Sequence, residues 1–419
     1  MSDNNTVQET GPVPSFFDQP GVQCETIPVG PGIPLGIARV SSAWAVLGGA
    51  YGAWGKSYDN DDLQEFIAQR LGRELRPEER LDLSQLGFDR RHHPGVMSDD
   101  QHLETELIAA SRMITEAAHA CGWEPQEVEA VLVGMSGPAS HDFLELAARR
   151  AGIPERALKV SVHKACDGSV GSLNLALNPG LEVLRRIGRD LSGELMGKKV
   201  LVGGVEGLSR YILRSSDINA LQLFGTAAGL IGLIPGQSMK FLVGKDHAVF
   251  DEEGVLAVHM YYPHPGRPSA NGSLLDVAQA SERHLRVAGL MHEPEDGSPL
   301  AMAGMMGMVK LFVRSGVQVV DEVYRSYQAL VERLGGSGQI AVAIVHHANY
   351  KINQLKEKHL QKEGIHLYMP WLLREFGNVS AASNMIAFLR WLPRLRPGDH
   401  VMFDGFGAGT YYDVLVVAL

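Results

Sequence analysis

The stretch Val160-Ser161-Val162-His163-Lys164-Ala165-Cys166-Asp167-Gly168-Ser169-Val170-Gly171 constrains this chain more than any other. Up to Val162 it reads as a strand, and from Gly168 apolar residues recur at helical spacing through Val170, Leu173 and Leu177. Cys166 therefore falls at a strand-to-helix junction, where unpaired amides and the positive helix end are expected to lower its pKa and favour the thiolate. That setting suits a nucleophile, although a buried core position is the commoner fate of a lone cysteine. Two later stretches tip the balance, Ile344-Val345-His346-His347-Ala348-Asn349 and Phe376-Gly377-Asn378-Val379-Ser380-Ala381-Ala382-Ser383. Each puts a polar side chain where a strand or loop gives way to a helix.

Along the chain, strand patterns alternate with helical ones, so the class is α/β. A proline-rich stretch with no core of its own runs to residue 36, and a first strand is expected at Ile37 to Leu47, followed by a glycine turn at Gly48, Gly49 and Gly52. An acidic capping cluster at Asp59 to Asp62 opens a helix, and the apolar spacing from Glu104 to Cys121 predicts another, with Cys121 as a core thiol. Covered strands are expected at Val128 to Met135 and Lys199 to Gly204, and a long helix from Val309 to Val331. Small-residue turns are read at Phe224 to Gly229 and Phe403 to Thr410, each feeding a strand. These paired patterns, with VEAVLVGM echoed by QIAVAIVHH and the Cys166 junction by that at Asn378, point to two related α/β halves meeting at the site. The boundaries expected are an arm over 1–36, one half over 37–241, an excursion with a turn-forming core at Tyr261 to Gly266 over 242–299, and the second half over 300–419.

The 38 basic and 48 acidic residues give a net charge of −10, which argues against a general nucleic-acid binder. A local basic rim remains open at Lys351, Lys356, Lys358 and Lys362, and the basic loop Gly87 to Pro94, with Arg91, could reach a phosphate or merely pair on the surface. No apolar run is long enough for a transmembrane helix, the amino terminus lacks signal-peptide character, and three cysteines build no disulfide framework, so a cytoplasmic, soluble protein is expected. His163 and Cys166 lack the company that a zinc site needs.

One thiol, one imidazole and one carboxamide suggest acyl transfer through a thioester. Cys166 would take the acyl group, and His346 Nε2 and the Asn378 amide would donate to a developing oxyanion. Backbone amides of Cys166 and of the Phe406 to Gly409 loop are candidates for a first oxyanion hole. Strand alternation aims His346 and His347 to opposite sides, with His346 inward.

In these motifs the chain resembles the ketoacyl synthase III group of the thiolase-like superfamily over roughly Ile37 to Leu419. Ala165-Cys166 matches the group's nucleophile motif, His346-His347-Ala348-Asn349 its histidine motif, Gly377 to Ser383 its asparagine motif and Phe406-Gly407-Ala408-Gly409 its terminal loop. The resemblance implies a five-layered αβαβα fold of duplicated halves, a homodimer, and a decarboxylative Claisen condensation of a Cys-bound acyl group with a malonyl-type thioester. Cys166, His346 and Asn378 would be catalytic, with the Ala408 amide in the oxyanion hole. It also implies no permanent cofactor. Coenzyme A or a carrier protein's phosphopantetheine would carry the acyl group, with Lys351, Asn349, Arg91 and Lys356 as candidates to bind it. Phe224-Gly225-Thr226-Ala227-Ala228 and His163-Lys164 depart from the group's pattern and suggest a specialised relative of polyketide or secondary metabolism. Passing the acyl group to an alcohol, amine or β-keto thioester, or serving as an inactive partner subunit, are the alternatives.

Overall fold

The computed structural model describes residues 22–137, 140, 142–181, 188–215, 217–248, 258–260, 275–289, 300–302, 310–336, 338–407 and 411–419. Its first elements are a hairpin of β1 (Gln23–Gly30) and β2 (Ile33–Ser41), with β3 (Gly48–Trp54) antiparallel to β2. Residues 23–36 of the expected arm thus lie in this hairpin, and of the expected first strand only Ile37 to Ser41 is strand, the end of β2. Pro28 faces Pro34 near the bulged, turn-side end of the hairpin, where a missing N–H does least harm to a ladder. Gly48, Gly49 and Gly52 lie inside β3, opposite Ser41, Val40 and Ile37.

A two-stranded ribbon follows, β4 (Lys56–Asp59) with β5 (Arg90–His93). Between them in sequence, α1 (Asn60–Leu71) starts where the Asp59 carboxylate accepts from Asp61 N and Asp62 N at 3.1 and 2.9 Å. A capping box of Ser98 and Gln101 opens α2 (Asp99–Ala120). The first half then runs through β6 (Ala130–Gly134), α3 (Phe143–Arg150), β7 (Leu158–His163), α4 (Gly168–Leu177), β8 (Val200–Glu206) and β9 (Ala227–Leu233).

The segment expected as an excursion begins inside a strand, β10 (Lys240–Ala248), and holds β11 (Val258–Met260), β12 (Leu275–Ser281) and β13 (His284–Gly289) before β14 (Leu300–Met302). Its expected Tyr261 to Gly266 turn lies outside the described residues. The long helix occupies Gly316–Arg333 after a π-helical turn, Lys310–Ser315. Last come β15 (Ile340–Val345), β16 (His400–Gly407) and β17 (Tyr411–Ala418), so Phe403 to Gly407, expected as a turn, are buried strand.

The large sheet has the order β1-β2-β3-β9-β8-β6-β7-β13-β12, and the second sheet β10-β17-β16-β15. Helix α4 and the helix Ser383–Trp391 lie between the two sheets. Helices α2 and α3 cover the outer face of the first sheet, and Gly316–Arg333 with Tyr350–Lys362 that of the second, which gives five layers αβαβα. The two central helices also begin alike. Ala165–Asp167 and Ser380–Ala382 are 3-10 turns entered through Lys164 (φ −115°, ψ 32°) and Val379 (φ −106°, ψ 32°), so the duplication survives in the backbone where the sequences differ. Strands β6, β7 and β8 run parallel, and their carboxyl ends open toward these turns.

Candidate active site

Cys166 sits in the first of these turns. The approach to β6 is close: a Cβ on Gly134 would stand 2.0 Å from the Gly168 carbonyl carbon, so only glycine lets the start of α4 settle there. From the other side comes β16, where a Cβ on Gly407 would lie 2.5 Å from Lys164 O and 3.0 Å from Cys166 N. Gly407, at the start of the terminal glycine motif, therefore packs on the backbone of Cys166. Ala408 itself lies outside the described residues.

Two of the three expected side chains, Cys166 and Asn378, are joined through Ser380, and His346 is held separately by Ser383. Ser380 Oγ lies 3.2 Å from Cys166 Sγ, and Ser380 N donates to Asn378 Oδ1 at 2.9 Å. One N–H of the Asn378 amide reaches Ala348 O at 3.3 Å, leaving its second N–H for a ligand. Asn378 is pinned by its backbone, with N donating to Leu223 O and O accepting from Gly225 N. His346 leaves the end of β15, and its Nδ1 is 2.6 Å from Ser383 Oγ, the first residue of the helix Ser383–Trp391. The alternative acceptor of that hydroxyl, Asn384 Oδ1, is 3.4 Å away. The shorter bond takes the Ser383 proton, which assigns the His346 proton to Nε2, the tautomer an oxyanion needs. Burial holds the imidazole neutral, its pKa pushed down to about 3. His347 points the other way, Nε2 accepting from Leu372 N at 3.0 Å against Trp371.

The Cys166 thiol departs from expectation. Burial pushes it up to about 12, the Ser380 hydroxyl opposes this, and the nearby carboxyls of Glu206 and Asp167 add to the rise. Lys164 brings no relief to the thiolate, because its ammonium is buried against Asp413, which also accepts from Asn174 Nδ2 at 2.6 Å. Burial and the neighbouring Asp413 push the Asp167 carboxyl upward, and the Lys164 ammonium opposes them.

The residues expected to bind a carrier are scattered. Lys351 is exposed, with Nζ 2.9 Å from Gln85 Oε1. Asn349 caps the helix Tyr350–Lys362 through Ile352 N at 3.0 Å. Lys356 is fully buried, ion-paired with Asp404 and placed 4.7 Å over the Phe406 ring, whose edge meets His346. Arg91 is fully buried, with Nη2 3.0 Å from Asn60 Oδ1. Neither Lys356 nor Arg91 forms part of a surface rim: one faces inward along its helix, and the other sits in a strand closed over by the Gly225 and Gly377 backbones.

Sequence reading missed Ser136, Glu206, Ser380 and Ser383 as parts of the site. Glu206 Oε1 accepts from Ser136 N (2.9 Å), Ser136 Oγ (2.8 Å) and Ala381 N (3.2 Å), and Ser136 Oγ is 2.7 Å from Ser380 Oγ. The one local signal was an acid ending the apolar run Val200-Leu201-Val202-Gly203-Gly204-Val205-Glu206. No group of three or more His, Cys, Asp or Glu that could hold a metal ion occurs among the described residues, and no helix there is long and apolar enough to cross a membrane.

The family model of 3-oxoacyl-[acyl-carrier-protein] synthase III, C-terminal part, matches residues 335–419, the segment that carries His346 and Asn378. A β-ketoacyl-[acyl-carrier-protein] synthase III of Gloeobacter violaceus is 26% identical over 324 residues, 73% of this chain and 82% of the relative. The chain is thus similar to ketoacyl synthase III enzymes. Among solved structures, the β-ketoacyl-[acyl carrier protein] synthase III of Thermus thermophilus matches this chain with a TM-score of 0.59 at 19% identity, over 95% of this chain and 99% of that one. An OleA of Xanthomonas campestris, solved with lauric acid and lauroyl-CoA bound, matches with a TM-score of 0.55 at 13% identity, over 91% and 97%. Both likenesses show a thiolase-like fold, the expected five-layered arrangement.

Proposed function

We propose that this protein is a ketosynthase that forms a carbon–carbon bond by decarboxylative Claisen condensation. The observation that carries this reading is the gathering of one thiol, one buried imidazole held through Nδ1 by Ser383 and one carboxamide held by Ser380 N and Ala348 O around the turns that begin the two central helices. Cys166 attacks an acyl thioester, the acyl group passes to Sγ and the donor thiol leaves. A malonyl-type thioester then loses carbon dioxide, and its enolate oxygen takes hydrogen bonds from His346 Nε2–H and Asn378 Nδ2–H. The enolate carbon attacks the Cys166-bound carbonyl, forming the β-keto product as Sγ leaves.

The likeness of Val160 to Gly171 and Phe224 to Ala228 to the group's motifs is partial, which supports a specialised relative with its own acyl substrate. Coenzyme A or a phosphopantetheine arm would deliver that substrate, with Lys351 at the surface as the cation on hand, and a homodimer is the assembly we propose. Incubation with a panel of acyl thioesters and a malonyl thioester tests the reading. A stable adduct on Cys166, carbon dioxide release and a β-keto product are expected. An adduct discharged to an alcohol or amine with no carbon dioxide would move the protein to acyl transfer, and no adduct with any donor would sink both.

A further inference from the structure

Cys166 is held as a thiol, and the site as described contains a route for its proton. We infer that Ser380, Ser136 and Glu206 form a proton relay that takes the thiol proton as Cys166 is acylated, with the Glu206 carboxylate as terminal acceptor. This rests on the reading of Cys166 as the nucleophile.

The geometry is continuous. From sulfur to carboxylate the steps are 3.2 Å to Ser380 Oγ, 2.7 Å to Ser136 Oγ and 2.8 Å to Glu206 Oε1. All three relay residues are buried, and Ser136 and Glu206 stand at the carboxyl ends of the neighbouring parallel strands β6 and β8. In the structure Ser380 Oγ donates to Cys166 Sγ and Ser136 Oγ to Glu206 Oε1; for transfer the Ser380 O–H turns to Ser136 Oγ, and the S–H then donates to the freed Ser380 Oγ. As the bond from Sγ to the acyl carbon forms, each proton moves one place and every bond in the row reverses. Glu206 becomes the acid, and Ser380 ends as donor to sulfur. The donor's carbon–sulfur bond breaks, its thiolate takes a proton from water, and Glu206 later returns its proton to water, so the cycle consumes none.

The terminal group suits the task. Glu206 is anchored by two backbone amides, Ser136 N and Ala381 N, which hold Oε1 in place whether or not it is protonated. Dehydration pushes it up to about 7, a far better base than an exposed carboxylate. The titratable groups that sense it are Cys166 from the turn before α4 and Tyr211 from the helix Ser209–Ile212. Tyr211 is bonded to Arg210 and Gly137 O and stays neutral, and Arg210 is itself paired with Glu106. His346 is bonded instead to Ser383, outside this row.

The test compares wild type, Glu206→Gln and Ser136→Ala for the rate of Cys166 acylation by an acyl-coenzyme A panel and of its alkylation by iodoacetamide, both read by intact mass from pH 5.5 to 9. Gln keeps an acceptor oxygen for the two amides but takes up no proton, and Ser136→Ala breaks the row while leaving Glu206 intact. In wild type both rates should rise through pH about 7, the Glu206 value. Each variant should lose roughly 10²-fold at neutral pH and that rise with it, with an unchanged urea midpoint for at least one of them. Wild-type rates and pH profile in Glu206→Gln would overturn the relay. Alkylation needs no acyl donor, so a panel that fails to acylate wild type sinks the ketosynthase reading while iodoacetamide still decides the relay.

Discussion

Ala165 and Ser380 occupy the same place in the two halves and share a backbone conformation: φ is +48° and +44°, and among the described residues they are the non-glycine residues at positive φ. Each opens the 3-10 turn ahead of a central helix. The strained turn at Ala165 aims Cys166, and the one at Ser380 aims the hydroxyl that meets it. Strain of this kind persists where the surrounding packing over-determines it.

The Ala165 turn should therefore tolerate loss of a side chain and reject a branched one. Ala165→Gly is expected to shift unfolding stability by less than about 1 kcal/mol, while Ala165→Val, strained at positive φ and overpacked in a buried site, should cost about 2 kcal/mol. Urea midpoints measure both, and a Val variant as stable as wild type would show that the turn is not constrained.

On the proposed mechanism His346 and Asn378 act after Cys166 has been loaded. In His346→Ala and Asn378→Ala the acyl adduct on Cys166 should form at close to the wild-type rate, while its discharge by a malonyl thioester slows roughly 10²- to 10³-fold. Intact mass with a timed chase separates the steps. Equal damage to loading in both variants would assign these residues to the first half-reaction.

Acid should destabilise the fold early. Burial pushes His93, His346 and His347 down to about 3, well below the ordinary histidine value of 6.5. Between these limits the unfolded chain binds protons that the folded chain does not, so stability from these groups is complete above pH 6.5 and falls as pH drops toward 3. At pH 5 each costs about 2 kcal/mol. Glu206, raised by burial, works in the opposite sense, adding stability as pH falls through about 7. A urea midpoint at pH 5 clearly below that at pH 7.5 is expected, and a higher one would contradict the buried, neutral histidines.

The pair Lys164 and Asp413 is buried on both sides, so the cost of losing one partner is that of stranding the other. Lys164→Met should cost about 3–5 kcal/mol, and Lys164→Met with Asp413→Asn should recover much of that loss. Thermal and urea melts of the full cycle check it. Losses in Lys164→Met and Asp413→Asn that simply add in the double variant would show the two charges to be independent.

The candidate trio could be picked out in the sequence because each member stands at a local junction: Cys166 after a strand, His346 at the end of one, Asn378 ahead of a small-residue helix start. The supporting shell was not. Ser136, Glu206 and Ser380 are far apart in the chain, and nothing local says that the ends of β6 and β8 face the turn at Ser380. Lys356 shows the same limit in a helix. Its neighbours Lys351, Lys358 and Lys362 are exposed, yet its place in the helical turn carries it inward to Asp404.

The order of strands and helices, the duplication and the chemical identity of the three candidate side chains were written in local pattern, since period and junction chemistry act over a few neighbouring residues. Tertiary structure alone decided the direction in which the thiol pKa is pushed. The rule for a helix end predicts a lowered thiol pKa, but desolvation and two neighbouring carboxyls raise it, and those arise only when strands from both halves close over Cys166. Electrostatic free energy depends on distance and solvent exclusion in three dimensions, and chain order encodes neither.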